Sequence, residues 1–295
     1  MRINPNITAD LLGALSNAEQ EQDTAMLQMA SGRRVNKPSD DPTAAAMLVE
    51  NSSQSSQADQ FLRSIDSLQA QLQSTDSTLN SVVLALQQAI SLGVQGANGT
   101  LSDANLASLA NEAIGIQSQL VSLANFSFQG QHVFSGTVAG RAPYVIDASQ
   151  PAGVRYDGNT GVNRVQVGEG LSIQVNLPGS QIFSAPGGDV FQSVQDLITA
   201  LQNHSGVDAA VTSLRSAFDH VTAQRVFYGN VMNQLTSQQT YLNNQKLQLS
   251  SQQDTLGGAD LAEAATRLLN AQNARTAALE ATGRIWQSTL FDYLK

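Results

Sequence analysis

Residues with chemistry to offer are few and scattered in this sequence. The adjacent carboxyls Asp40-Asp41 are the makings of an acid pair or of half a cation site. The histidines, His132, His204 and His220, lie far apart along the chain. Asp157-Gly158-Asn159 begins as a calcium loop would, but the later ligands and the closing Glu are missing. No His-Glu-x-x-His, P-loop, Gly-x-Gly-x-x-Gly or Gly-x-Ser-x-Gly occurs. There is no cysteine, hence no disulfide framework and no thiolate metal site. These residues predict no catalytic group, no cofactor and no metal. Asp40-Asp41 reads instead as a solvated loop that caps a helix, and Asp157-Gly158-Asn159 as a hairpin turn. Asn51-Ser52-Ser53, Asn98-Gly99-Thr100 and Asn203-His204-Ser205 fit the glycosylation pattern, which chance supplies readily in an Asn/Ser-rich chain.

The elements that would have to position any site carry more information. A comb of Phe61, Ile65, Leu68, Leu72, Thr75, Leu79, Val82 and Leu86 advances in steps of four and three. A second comb of Leu214, Val221, Tyr228, Leu235, Leu242, Leu249 and Leu256 advances in sevens. Both are coiled-coil seams, with Gln, Ser, Asn and Thr filling the positions between. Each helix has one narrow apolar stripe and must bury it against another helix or another molecule. The expected seam residues are Leu68, Leu72, Leu79, Leu235, Leu242 and Leu249.

Composition agrees with a thin helical core. Of 295 residues 41% are hydrophobic but only 5% aromatic, and 13% are charged. Uncharged polar residues carry the solubility, which suits packing against copies of the same chain. A net charge of −9 argues against nucleic acid as a partner. The start, Met1-Arg2-Ile3-Asn4-Pro5-Asn6, lacks the apolar core of a secretory signal. No run reaches the roughly 20 apolar residues of a membrane span. Taken alone this reads as cytosolic, with export routes that use no cleaved signal left open.

The order of elements is helix, bend, helices, β-insert, helices, bend, helix. Residues 1–32 form a helix that Gly32 stops, and the loop with Pro38 and Pro42 follows. The next helix spans Pro42 to about Leu92, on the order of 75 Å, and Gly93, Gly96 and Gly99 break it. A shorter helix covers Asp103–Asn125. Period-two alternation over Leu171, Ile173, Val175 and Leu177 marks a strand, with others near Val165, Tyr144 and Val154. Helix resumes after the cap Asp189 and again over Val207–Leu256, and a final helix starts near Asp260. The segments are therefore 1–42, a first assembly helix and bend; 43–132, rod helices; 133–187, an inserted β domain; 188–257, returning rod helices; and 258–295, a last assembly helix. The fold class is mainly α with a β insert, a long antiparallel helical rod with paired terminal helices. The terminal segments carry Ala-rich stripes that have only each other to cover them, so their order should wait on assembly.

Four stretches resemble the bacterial flagellin superfamily, and most closely its hook-filament junction branch, the hook-associated proteins three. They are Gln28-Met29-Ala30-Ser31-Gly32-Arg33-Arg34-Val35-Asn36, Ser39-Asp40-Asp41-Pro42-Thr43-Ala44-Ala45, Asn125-Phe126 through Ser135-Gly136, and Asp260-Leu261-Ala262-Glu263-Ala264. The ending Leu290-Phe291-Asp292-Tyr293-Leu294-Lys295 favours the junction branch over filament flagellins. The resemblance implies a structural subunit of the flagellum, exported through the type III channel without a cleaved signal and resident outside the cell. It implies as partners the first hook-associated protein on the hook side, flagellin on the filament side, further copies of the chain and a cytoplasmic export chaperone. Leu268, Leu269, Leu279, Ile285, Trp286, Leu290 and Phe291 form an apolar series that an exported chain would expose, which gives assembly or a chaperone its surface. Three alternatives stand beside this reading: a small filament flagellin, a self-contained helical scaffold, and an enzyme assembled from distant residues.

Overall fold

A computed structural model describes residues 7–293, and the side chains of residues 9–284. The helices are α1 (Ile7–Ser31), α2 (Pro42–Gly96), α3 (Asp103–Ala124), α4 (Gly179–Ile182), α5 (Val190–Gln202), α6 (Val207–Gly257) and α7 (Leu261–Tyr293). Six short strands lie between α3 and α4: β1 (Ser127–Phe128), β2 (Gln131–His132), β3 (Tyr144–Ile146), β4 (Val154–Tyr156), β5 (Arg164–Gly168) and β6 (Leu171–Gln174). The chain divides into two compact units, one of Met1–Gln57 with Asn244–Lys295 and the other of Ala58–Asn243.

In the second unit α2 and α6 run antiparallel. Gln239 donates to Asp66 at 2.8 Å, Gln69 donates to Thr236 at 3.4 Å, and Arg225 donates to Asp76 at 2.8 Å, so partners descend along α6 as they ascend along α2. Within this unit Leu68, Leu72, Leu79, Leu235 and Leu242 are all buried. Ile65, Val82 and Leu86 from one comb, and Leu214, Val221 and Tyr228 from the other, are buried in the same core. Thr75 sits in the seam and turns its hydroxyl to the Gln71 carbonyl at 2.8 Å, so no polar group is stranded.

Of the glycines expected to break α2, Gly93 does not; the helix ends at Gly96, and Gly99 lies in the turn that follows. The helix continues through Gly93 to Gly96. A Cβ on Gly93 would stand 2.5 Å from Val211 Cγ2, and one on Gly96 2.3 Å from Leu201 Cδ2. Both are glycines because α6 and α5 press against the helix there; packing, not chain freedom, selects them. The most apolar 18-residue window of α2 has the composition of a membrane span, but 50% of it is buried inside the protein, as befits a core helix.

The β-insert is three antiparallel hairpins, with registers Phe128↔Gln131, Val145↔Arg155 and Val165↔Ile173. The alternation expected through Leu177 is not kept: on β6 only Ile173 is buried and Leu171 is exposed, and beyond the strand Val175, Asn176 and Leu177 are all buried. Asp157-Gly158-Asn159 is not a hairpin turn. It follows β4, where Asp157 accepts from Arg155 at 2.7 Å and the Asn159 carboxamide oxygen accepts from Thr137 N at 2.9 Å and Gly161 N at 3.0 Å. The chain actually reverses through Asp147–Gly153. Phe134, Tyr144, Phe183 and Phe191 pack edge-on or tilted with ring centroids 4.8–6.1 Å apart. The core of the insert is continuous with that of the helices. At the foot of α3 the Asn125 carboxamide stands in for a strand partner: it donates to Tyr144 O at 2.7 Å and accepts from Tyr144 N at 2.8 Å.

In the first unit α1 and α7 pair. Arg275 lies 3.5 Å from Glu19, and Ala259 N donates to Gly32 O at 3.0 Å, so these two helices also run antiparallel. Leu249, on the part of α6 in this unit, is buried, and Asn51 donates from its carboxamide to Gln252 at 3.3 Å.

Candidate assembly interface

The candidate assembly surface is on the α1/α7 pair, and its character follows from what the pair buries. Ala18 and Ala25 on α1, and Ala264, Ala271 and Ala278 on α7, are the buried apolar residues of these helices. All are seven residues apart on their own helix, which keeps them on one stripe. A seam of methyl groups lets two helices approach closely but removes little apolar surface from water. Leu11, Leu15 and Leu268 are half-buried, and other large side chains are left outside. Leu27 is 43% exposed and Leu269 61% exposed, each two residues from a seam alanine and so about 200° round its helix from the seam. Leu12, Met26, Leu261 and Leu279 are exposed as well.

Of the residues singled out from the sequence, Leu268 is half-buried beside the seam, and Leu269 and Leu279 face outward. Ile285, Trp286, Leu290 and Phe291 lie outside the residues whose side chains are described. The alanine stripe was visible in the sequence as a seven-residue spacing, but leucine dominated the reading of hydrophobicity.

Two bends close the base of the pair. Gly32 adopts φ +66°, which ends α1, and Arg34 N donates to Gly257 O at 2.7 Å. The Arg34 guanidinium donates to Leu256 O at 2.8 Å and to Asp41 at 3.1 Å, so one side chain ties the end of α6 to the start of α2. Asp41 caps α2 by accepting from Ala44 N at 2.9 Å, with Pro42 in the first turn. Asp40 accepts from Lys37 N at 2.8 Å and Asn36 N at 3.0 Å. These amide donors hold both carboxyls below the usual carboxylate range, helped at Asp41 by Arg34. Asp260 caps α7 in the same manner, accepting from Ala262 N at 2.9 Å.

The acid pair is thus a folding device. The histidines do not converge: His132 Nδ1 lies 2.8 Å from Asn125 O, His204 Nδ1 3.3 Å from Asp103, and His220 Nε2 2.8 Å from Gln181 O. Among the described residues no cluster of three His, Asp or Glu is placed to hold a metal ion. Of the Asn-x-Ser/Thr triplets named above, Asn51 is buried, whereas Asn98 and Asn203 are exposed.

Comparison with known proteins agrees with this architecture. Residues 3–139 match the family model of the bacterial flagellin N-terminal helical region, and residues 211–294 match that of the bacterial flagellin C-terminal helical region. Flagellar hook-associated protein 3 of Salmonella typhimurium is 33% identical over 175 residues, a match that spans 59% of this chain and 54% of that protein. Flagellar hook-associated protein 3 of Escherichia coli is 28% identical over 247 residues, spanning 75% of this chain and 76% of the relative. A crystal structure of flagellar hook-associated protein 3 from Legionella pneumophila shares the fold, with a TM-score of 0.62 at 15% identity over 68% of this chain and 96% of that one. The two flagellin models together frame the β-insert and cover most of the sequence. With its paired terminal helices, capped bends and long antiparallel seams, this chain belongs to the bacterial flagellin family, whose members are structural components of the bacterial flagellum rather than enzymes.

Proposed function

We propose that the chain is the junction subunit between hook and filament. The observation that carries this is the division of labour on the α1/α7 pair, where alanines hold the pair together and leucines and methionines remain for neighbours. In this reading the segments 1–42 and 258–295 form the innermost contacts between copies. The helices of 43–132 and 188–257 form the next shell, and 133–187 faces outward. One end of the subunit meets the first hook-associated protein and the other meets flagellin. The two relatives named hook-associated protein 3 support the assignment to the junction.

Export follows from the same features. A chain with no cysteine carries no disulfide that would obstruct unfolded passage through a type III channel to the outside of the cell. Before export, a cytoplasmic chaperone covers the series Leu268, Leu269, Leu279, Ile285, Trp286, Leu290 and Phe291 in a helix-in-groove mode.

Electron microscopy of the purified protein under polymerising conditions, with and without isolated hooks, tests the proposal. A junction subunit adds a short collar to hook ends that already carry the first hook-associated protein, and does nothing alone. Long fibres without hooks would instead establish a small filament flagellin.

A further inference from the structure

The turn between α2 and α3 contains the one Asn-Gly pair in the sequence, Asn98-Gly99. We propose that Asn98 is a site of spontaneous covalent conversion to aspartate and isoaspartate, promoted by its own turn. Asn98 and Gly99 are exposed and lie beyond the end of α2. The Asn98 carboxamide oxygen accepts from Thr100 Oγ1 at 2.9 Å and from Thr100 N at 3.3 Å. The main chain of Asn98 is held on both sides: its N–H donates to Gln95 O at 3.1 Å and its carbonyl accepts from Leu101 N at 3.2 Å. Among the described residues nothing accepts from the Gly99 amide. A Cβ on Gly99 would meet no atom within 4 Å outside its two chain neighbours, so the space beside the turn is open to solvent.

The chemistry needs no partner. The Gly99 nitrogen gives its proton to solvent base and attacks Asn98 Cγ. The charge that develops on the carboxamide oxygen falls on the two Thr100 donors, as in an oxyanion hole. The Cγ–Nδ2 bond breaks, ammonia leaves, and a five-membered succinimide remains. Water opens that ring at either carbonyl, giving aspartate or isoaspartate. Overall one ammonia is exchanged for one water, with no change of oxidation state. The product places a new carboxylate just ahead of α3, whose N-cap is Ser102. The isoaspartate form also adds a methylene to the main chain between α2 and α3.

Peptide mapping by mass spectrometry of the intact chain, incubated near neutral to mildly alkaline pH, tests this directly. Asn98 should convert about tenfold faster than exposed Asn203, because a residue larger than Gly after Asn hinders the attack. Gly99→Ala should slow conversion about tenfold for the same reason. Thr100→Val should slow it several-fold while leaving the melting temperature in place, since Thr100 is exposed. Conversion of Asn203 at the rate of Asn98 would overturn the proposal. So would faster conversion of Asn98 in the urea-unfolded chain than in the folded one, because the turn would then be protective.

Discussion

Arg225 grips Asp76 with two nitrogens, Nε at 2.8 Å and Nη2 at 3.0 Å, across 149 residues of sequence. A third nitrogen reaches Asn80 at 3.0 Å. The fork spans one turn of α2 and so selects one register out of the several that repeating heptads permit. Both partners are about a quarter exposed, so the pair adds specificity more than stability.

Stability in that unit comes from the seam that the fork aligns. Leu235 is fully buried, while its neighbour Gln234 is exposed. Leu235→Ala should cost about 2–5 kcal/mol, and Gln234→Ala under about 0.5 kcal/mol. Urea denaturation of the two variants checks this. Gln238 is a poorer control than its polarity suggests, because its carboxamide would stand 2.7 Å from a Cβ on Gly168.

The alanine seam predicts intolerance of size. Ala271→Leu adds apolar surface yet should destabilise the α1/α7 pair by about 1–3 kcal/mol, because the helices must separate to admit it. Hydrogen exchange should rise across both α1 and α7 and stay unchanged in α3 and α5. Protection unaltered on α1 would show that Ala271 does not face it.

Acid should loosen the bends. The folded carboxyls of Asp40 and Asp41 titrate below their unfolded value of about 3.9. The unfolded chain therefore binds more protons in that window, and the contribution is present above the unfolded value and lost as pH falls through the folded one. Carboxyl chemical shifts followed by NMR should place both midpoints below that of a peptide Asp. Ordinary midpoints would mean that the amides of Asn36, Lys37 and Ala44 do not hold these groups in solution.

The outward leucines predict a separable binding defect. Leu269→Ser with Leu279→Ser should leave thermal unfolding within about 0.5 kcal/mol of the parent, as both are at least half exposed. If the proposed export chaperone covers these leucines, the double variant should bind it at least tenfold more weakly by titration calorimetry. Ile146→Ser, 69% exposed on the β-insert, should leave that affinity unchanged. Equal affinities for all three proteins would remove Leu269 and Leu279 from the proposed chaperone surface.

Helices with a strict period were legible in the sequence because one residue type, leucine, marked their buried stripe. Asp189 and Asp41 were legible as caps because few residue types precede a helix in that manner. Gly93 was misread because a glycine that ends a helix and one that admits a neighbouring helix look alike until Val211 is in place. Asp157-Gly158-Asn159 misled for a related reason. Its turn chemistry is real, but its partners, Arg155, Thr137 and Gly161, lie outside the triplet. At the interface, alanine at Ala18, Ala25, Ala264, Ala271 and Ala278 is too weak a hydrophobe to stand out beside Leu269 and Leu279. The residues that make the pair were therefore quieter than those it leaves over.

The position of Leu27 and Leu269, each nearly opposite its own seam, has a geometric consequence. A patch confined to one side can be satisfied by a single two-fold partner, and growth then stops. Apolar groups on the far sides of both helices cannot be exhausted that way. Covering one side with a like surface leaves the other bare, so contact propagates head to tail until the rotation closes or something different is met. In the proposed junction, termination would thereby fall not to the α1/α7 pair but to the unlike neighbours it meets.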